Sequence, residues 1–125
     1  MITLLLSLLL SLGGELPVDV PYGSVQSAFK SGNASAVAGM CKDKCLISVL
    51  DDEGVYSKSQ ATQVLKSFFS KYPANSFSFI HKGSGSSEGA FGIGTYSSKG
   101  TDFRVTIHFK KISGSFKIES ITIEN

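Results

Sequence analysis

The sequence predicts an α+β domain in which helices pack on one side of an antiparallel sheet. Two observations carry this prediction. Residues 57–72 place large apolar side chains at helical spacing, and residues 76–123 alternate apolar and polar side chains through four consecutive segments joined by short turns. Helices that precede such a meander bury their apolar stripes against its one apolar face.

Length and composition restrict the chain to one globular domain without a strongly charged surface. A chain of 125 residues has no room for a second core, and its 42% hydrophobic and 18% charged residues are typical of a folded protein. Twelve Lys and Arg against ten Asp and Glu leave a net charge of +2. This excess is too small to indicate nucleic acid or an acidic membrane as a partner.

The first residues, MITLLLSLLLSLG, differ from the rest of the chain and predict a signal peptide at 1–13. The apolar run Leu4–Leu12 has the length of a signal-peptide core, about half of what a bilayer span requires. Ser11 and Gly13 are small residues at the spacing that a signal peptidase prefers, so we expect cleavage after Gly13, although no Lys or Arg precedes the run. The alternative is an apolar helix packed on the domain. After cleavage the protein would be exported, periplasmic or secreted, and would have no membrane attachment.

Two short helices are predicted at the start of the domain, which we place at 23–125 after an extended lead-in at 14–22. Their boundary is marked by Gly32, a good helix terminator, and by Asn33, a good N-cap. The apolar faces are Val25, Ala28 and Phe29 in the first helix, and Ala34, Val37, Met40 and Cys41 in the second.

The third helix is the longest, and both of its ends are marked in the sequence. Ser57 and Gln60 form a capping-box pair, in which each side chain accepts a hydrogen bond from the backbone N–H of the other residue. Pro73 ends the helix because its ring cannot continue the hydrogen-bond ladder. The apolar stripe between these ends comprises Ala61, Val64, Leu65, Phe68, Phe69 and Tyr72.

One strand is predicted before the long helix and four after it. Leu46–Leu50 is a β-branched and aliphatic run, closed by a turn at Asp51–Gly54, with at most a very short strand at Val55–Tyr56. After Pro73, Gly83–Ser87 is expected to be a flexible connection between strands. The alternation places Phe77, Phe79 and His81 on one face of their strand, and Phe103, Val105, Ile107 and Phe109 on the apolar face of another.

The order of these elements resembles the cone-shaped nuclear-transport-factor-2-like fold, also called cystatin-like. Within that superfamily the chain resembles a bacterial exported family known only as domain of unknown function 4783. The likeness lies in the stretches FKSGNASAVAG, EGVYSKSQATQVLKSFFSKYP, FSFIHKG, GIGTYSS and FRVTIHFKK. It implies a curved antiparallel sheet with three helices packed on its concave face, and an exported setting. It implies no activity, since none is assigned to the family.

Phe68, Phe69 and Tyr72 are candidates for lining a ligand pocket, with a filled core as the alternative. In the cone that the resemblance implies, the long helix lies across the sheet and these side chains meet its apolar face. Burying each one contributes about 1.5–3 kcal/mol, so the stripe is needed to hold the helix on the sheet. Nine Phe and no Trp suit a filled core, which we favour.

His81 is the candidate acid–base residue, because alternation places it on the apolar face beside Phe77 and Phe79. Enzymes of the resembled superfamily keep their acid–base groups at the mouth of the cone, where an imidazole acts near neutral pH. The alternative, which we favour, is a histidine whose ring packs and whose nitrogens bond to backbone or water.

Cys41 and Cys45 are both predicted to point towards the core, on either side of a three-residue turn, KDK. Export favours a disulfide between them. Two buried free thiols, behaving as small hydrophobic groups, are the alternative. No metal site is expected, because two cysteines without a nearby histidine do not supply four ligands.

Two classes of function follow. The first, which we favour, is a non-enzymatic exported module that binds a small apolar ligand or a partner protein, a homodimer being one form of the latter. The second is a small acid–base enzyme, of the dehydratase or isomerase kind, with His81 in the cone. No cofactor is expected for either. The number of polar side chains that converge on the apolar face distinguishes the two classes, because an enzyme needs several. His81 is the one firm example, and Tyr22, Tyr56 and Tyr96 are further candidates.

Overall fold

The computed structural model describes residues 20–125, except for the side chains of residues 85 and 86. This part of the chain forms three helices and six strands, as an α+β domain. In chain order the elements are α1 (Tyr22–Lys30), α2 (Ala34–Gly39), β1 (Cys41–Val49), β2 (Asp52–Tyr56), α3 (Lys58–Lys71), β3 (Ser76–Ser86), β4 (Gly89–Ser98), β5 (Thr101–Ile112) and β6 (Ser115–Glu124). The predicted signal peptide, and all of the predicted lead-in before Val20, lie outside the described residues.

The six strands form one curved sheet in the order β2-β1-β6-β5-β4-β3. Neighbouring strands are antiparallel except β1 and β6, which are parallel. The hairpin β1–β2 forms one edge of the sheet, and α3 connects it to β3 at the opposite edge. The meander β3–β6 then runs back across the sheet, so that its last strand, β6, lies beside β1. The predicted fold class and the predicted meander are confirmed.

The predicted termini of the first two helices are close to those observed. α1 begins at Tyr22, one residue before the expected domain start, with Pro21 as its N-cap residue. Gly32 adopts a φ of +63°, a left-handed conformation that glycine adopts readily, and so turns the chain after α1. The Asn33 side chain then accepts a hydrogen bond of 3.1 Å from the backbone N–H of Ala36, which caps α2.

Both halves of the capping box predicted for α3 are present. The Ser57 hydroxyl accepts from the Gln60 backbone N–H at 3.3 Å, and the Gln60 side chain accepts from the Ser57 backbone N–H at 3.0 Å. The helix ends at Lys71, two residues before Pro73, as predicted. These caps fix where the apolar stripe of α3 begins and ends on the sheet.

Strand boundaries differ from prediction at three places. β1 begins at Cys41, within the face assigned to the second helix, and β2 is a full strand where only a very short one was expected. The expected loop at 83–87 is mostly strand, since β3 extends to Ser86 and only two residues separate it from β4. In each case pairing with a neighbouring strand overrides a weak local signal of turn or helix.

Aromatic rings of β3 lie close to the backbone of β4 where β4 carries glycines. A Cβ atom on Gly94 would lie 2.6 Å from Cζ of Phe77, and one on Gly92 would lie 2.6 Å from Cε1 of Phe79. The two rings of β3 therefore lie flat over the backbone of β4. The Phe29 ring of α1 stacks on Phe77, with centroids 4.9 Å apart, and so closes this part of the core.

Candidate functional site

The interior of the cone is filled by aromatic side chains from α3 and the sheet. Phe68 is 4% exposed and Phe69 is 7% exposed. The Phe68 ring contacts the ring of Phe103 edge to face, with centroids 5.5 Å apart, and Phe69 contacts Phe29 in the same way at 5.6 Å. Side chains packed this closely leave no room for a ligand deep in the cone.

Two phenols inside the cone are hydrogen-bonded to the backbone. The Tyr22 hydroxyl donates to the carbonyl of Phe91 at 2.7 Å, and the Tyr96 hydroxyl donates to the carbonyl of Tyr72. Burial raises the pKa of Tyr22, and it raises the pKa of Tyr96 to about 12. Both phenols are therefore neutral hydrogen-bond donors near pH 7.

Among the described residues, the core contains no buried Asp, Glu, His, Lys or Arg. The one buried side chain outside the apolar and aromatic set is Ser98, whose hydroxyl has no hydrogen-bond partner. Within residues 20–125, the buried interior therefore holds no carboxylate, imidazole or amine to act as a general acid or base.

His81 does not lie in the cone, and its predicted placement is wrong. Phe79 pairs with Gly94 but His81 pairs with Ile93, so Ile80 is an extra residue on β3, a β-bulge. The bulge shifts the alternation by one residue and turns His81 to the outer face, where it is exposed. The side chain lies there in a shallow depression that also includes Asp102 and Arg104.

A concavity lies between the β1–β2 hairpin and α3. We call it the α3–β2 cleft. Its volume is about 570 Å³. It is lined by Val49, Leu50, Asp51, Asp52, Glu53, Tyr56, Val64, Ser67, Phe68, Lys71 and Tyr72.

The α3–β2 cleft has an aromatic floor and a charged rim. Phe68 and Tyr72 come from adjacent turns of α3 and pack together with ring centroids 5.4 Å apart. Tyr56, at the end of β2, forms the facing wall. The rim carries the exposed acidic residues 51–53 and also Lys71, whose ammonium group lies 5.6 Å from the centroid of the Tyr72 ring.

The structure separates the four residues proposed as ligand-binding candidates. Phe68 and Tyr72 line the α3–β2 cleft, whereas Phe69 faces the core and His81 lies on the other side of the sheet. Tyr56, expected only as a further polar candidate, also lines the cleft. The acidic residues 51–53, expected only to form a turn, lie at its rim.

The two cysteines are both buried, and both are free thiols. No group of three or more His, Cys, Asp or Glu side chains in the described part of the chain is arranged to hold a metal ion. Within residues 20–125 no helix is long and apolar enough to cross a bilayer.

Comparison with known proteins places this fold and sequence in one family. A family model described as Domain of unknown function (DUF4783) matches residues 22–124. The chain belongs to this family. A DUF4783 protein from Bacteroides uniformis has a crystal structure that superposes with a TM-score of 0.79 at 29% identity, over 85% of this chain and 96% of that one. No match was found among curated proteins.

More distant structures establish the wider fold. A cystatin-like domain of unknown function from Nostoc punctiforme superposes with a TM-score of 0.65 at 9% identity, covering 86% of this chain and 74% of that one. A ketosteroid isomerase-like protein from Erwinia carotovora atroseptica gives 0.71 at 17% identity, covering 90% and 96%. At these identities the likeness concerns the fold alone, which is the nuclear-transport-factor-2-like fold that the element order predicts.

Proposed function

We propose that this DUF4783 protein is an exported, non-enzymatic binding module that holds a small, largely apolar ligand in the α3–β2 cleft. The observation that carries the proposal is the cleft itself. Its volume of about 570 Å³ falls within the range of small-molecule sites, and its floor is aromatic while the rest of the cone is filled.

The lining of the cleft defines the kind of ligand that fits. Rings from Phe68, Tyr72 and Tyr56 favour a flat apolar or aromatic body. The rim carries three carboxylates, at residues 51–53, against one ammonium, that of Lys71. This excess of negative charge favours a neutral or cationic ligand over an anion.

An acid–base enzyme is less well supported by the same geometry. The carboxylates of the cleft are exposed to solvent at its rim, and His81 is separated from the cleft by the sheet. A general base needs to lie within reach of the proton that it removes. The His81 imidazole, on the outer face of the sheet, does not reach a ligand in the cleft. The geometry of the cleft therefore supports ligand retention better than turnover.

Export rests on the predicted signal peptide at 1–13, which lies outside the described residues. Intact mass and N-terminal sequencing of the protein from its native host test it directly. We expect the mature chain to begin near Gly14, and retention of the leucine run in the mature product would contradict export by this route.

The binding proposal is tested by NMR with Nile red, a neutral aromatic dye, as the probe. We expect amide shift changes confined to residues 49–56 and 64–72, together with a rise in dye fluorescence. Ser67→Trp places a large ring in the cleft from an exposed position on α3, so the fold should be kept while dye affinity falls by about tenfold or more.

Two matched controls complete the test. Ser70→Trp adds the same ring at an exposed position of α3 that does not line the cleft, and His81→Ala changes the outer face of the sheet. Both should bind the dye like the unmodified protein. Shift changes centred elsewhere, or a Ser67→Trp protein with unchanged affinity, would contradict the proposed site.

A further inference from the structure

The strand β1 is not regular between its two cysteines. Cys41 pairs with Ile118 of β6, and Leu46 pairs with Ser120, so the advance of five residues along β1 matches an advance of only two along β6. The surplus residues bulge out of the ladder at 42–44, where the sequence KDK predicted a turn.

This bulge brings the two cysteines together. In a regular strand, residues four apart are separated by roughly 13 Å, which no disulfide spans. Here the whole stretch from Cys41 to Leu46 corresponds to two residues of β6, or roughly 6.6 Å of strand. The bulge thereby shortens the distance between Cys41 and Cys45 along the sheet, towards the Cα separation of about 4.4–6.8 Å that disulfides adopt.

The side chains agree with the backbone. Both cysteines are 0% exposed, so both point from the bulge into the core. The thiol of Cys41 donates a hydrogen bond to the backbone carbonyl of Val37 at 3.7 Å. Both side chains are free thiols in the structure, on the core side of the same bulge.

We propose that Cys41 and Cys45 are joined by a disulfide that closes the bulge of β1 during folding. The oxidant is a disulfide of an exported thiol oxidase or of a small thiol such as oxidised glutathione. The thiolate of one cysteine attacks that disulfide, forms a mixed disulfide and releases one thiolate. The other cysteine then loses its proton and attacks the protein sulfur of the mixed disulfide, which releases the second thiolate. The protein gives up two protons and two electrons, and the oxidant takes up the electrons.

Burial of the two cysteines determines at which stage of folding the disulfide can form. Neither sulfur is accessible to an enzyme once β1 is packed, so oxidation precedes the closure of the core. Afterwards the same burial shields the disulfide from reductants. This inference is independent of the proposed ligand site, since neither cysteine lines the α3–β2 cleft.

The test is a thiol count on the full chain exported to a bacterial periplasm. The protein is quenched in acid and alkylated with N-ethylmaleimide in denaturing urea, before and after reduction. We expect no adduct before reduction and two after it. Two adducts before reduction would overturn the proposal. Denaturation makes the count independent of whether a variant folds.

Tryptic digestion locates the bond. Trypsin cuts after Lys42 and Lys44, between the two cysteines, so the flanking peptides stay together only if a disulfide joins them. Joined peptides from monomeric protein support the proposal, whereas a disulfide-linked dimer on a non-reducing gel would overturn it. The Cys45→Ser variant, with one adduct before and after reduction, is the matched control.

A redox titration separates a bond favoured by the fold from one formed by chance. The ratio of reduced to oxidised glutathione that opens the disulfide is measured for the folded protein and for the same chain in urea. We expect this ratio to be at least about tenfold higher for the folded protein. Equal ratios would show that the bulge does not bring the thiols together, and would overturn the inference.

Discussion

The hydroxyl of Tyr96, on the inner face of the sheet, donates a hydrogen bond to the backbone carbonyl of Tyr72, the C-terminal cap residue of α3. Carbonyls at the end of a helix have no partner within the helix, and this one is satisfied from across the core. The bond ties the sheet to the part of α3 that floors the α3–β2 cleft. Stability and the proposed site therefore depend on the same contact.

Tyr96→Phe removes this donor and leaves the ring in place. We expect the free energy of unfolding to fall by about 1–3 kcal/mol, because the Tyr72 carbonyl loses its partner at the edge of the core. Urea denaturation followed by circular dichroism measures the change. Tyr56→Phe, which removes a hydroxyl from the wall of the open cleft, is the matched control and should stay within about 0.5 kcal/mol of the unmodified protein.

Alkaline pH should destabilise the protein through the same phenol. Burial raises the pKa of Tyr96 to about 12, whereas an unfolded tyrosine has a pKa of 10.0. Above the unfolded value the unfolded chain has lost the proton that the folded protein still holds, so stability is complete below about pH 10 and falls as pH rises towards about 12. Urea unfolding at about pH 9 and about pH 11 checks this.

The Tyr96→Phe protein supplies the comparison for the pH series. Its stability should fall less steeply over the same interval, although the raised pKa of Tyr22 leaves part of the loss in place. Identical slopes for the two proteins would contradict the assignment of the alkaline loss to Tyr96.

Elements that carry their own local signal were predictable from the sequence. The capping box of Ser57 and the alternation of Phe103–Phe109 determine their local structure without distant contacts, and both are confirmed. His81 was misplaced because a single extra residue at Ile80 reverses the face of everything after it. Nothing in the sequence FSFIHKG distinguishes a bulged strand from a regular one.

The candidate site was predictable only in part, for a related reason. Phe68 and Tyr72 were named because they belong to the stripe of α3. Tyr56 and the acidic residues 51–53 reach the cleft only because the hairpin β1–β2 ends beside that helix. Such an approach depends on the whole strand order, with β1 placed against β6, which no local pattern specifies.

The glycines of β4 should resist substitution where aromatic rings cover them. In Gly94→Ala the new Cβ would meet Cζ of Phe77 at 2.6 Å and the backbone oxygen of Ser78 at 2.9 Å. The backbone oxygen cannot yield as a side chain does, so we expect a loss of about 1–3 kcal/mol in the free energy of unfolding. Thermal and urea denaturation both report it.

Gly23→Ala is the matched control for this series. Gly23 lies in α1 with no atom within 4 Å of the position of an added Cβ. Alanine there should leave stability unchanged or raise it by up to about 1 kcal/mol, because glycine is the poorer helix former. A Gly94→Ala protein as stable as Gly23→Ala would show that Phe77 does not lie over β4 as described.

The stripe of α3 gives the last prediction. Phe69→Ala should lower the free energy of unfolding by about 3–5 kcal/mol, since the buried ring is lost and the packed core cannot collapse fully into the cavity. Phe68→Ala should cost less, because one side of its ring borders the open cleft and solvent can fill the space. The rings touch, with centroids 5.8 Å apart, so the double variant should lose less than the sum of the two single losses. Urea denaturation of the three proteins measures this, with Ser70→Ala on the exposed face of α3 as the control. Near-native stability of Phe69→Ala would mean that α3 is held on the sheet by something other than its aromatic stripe.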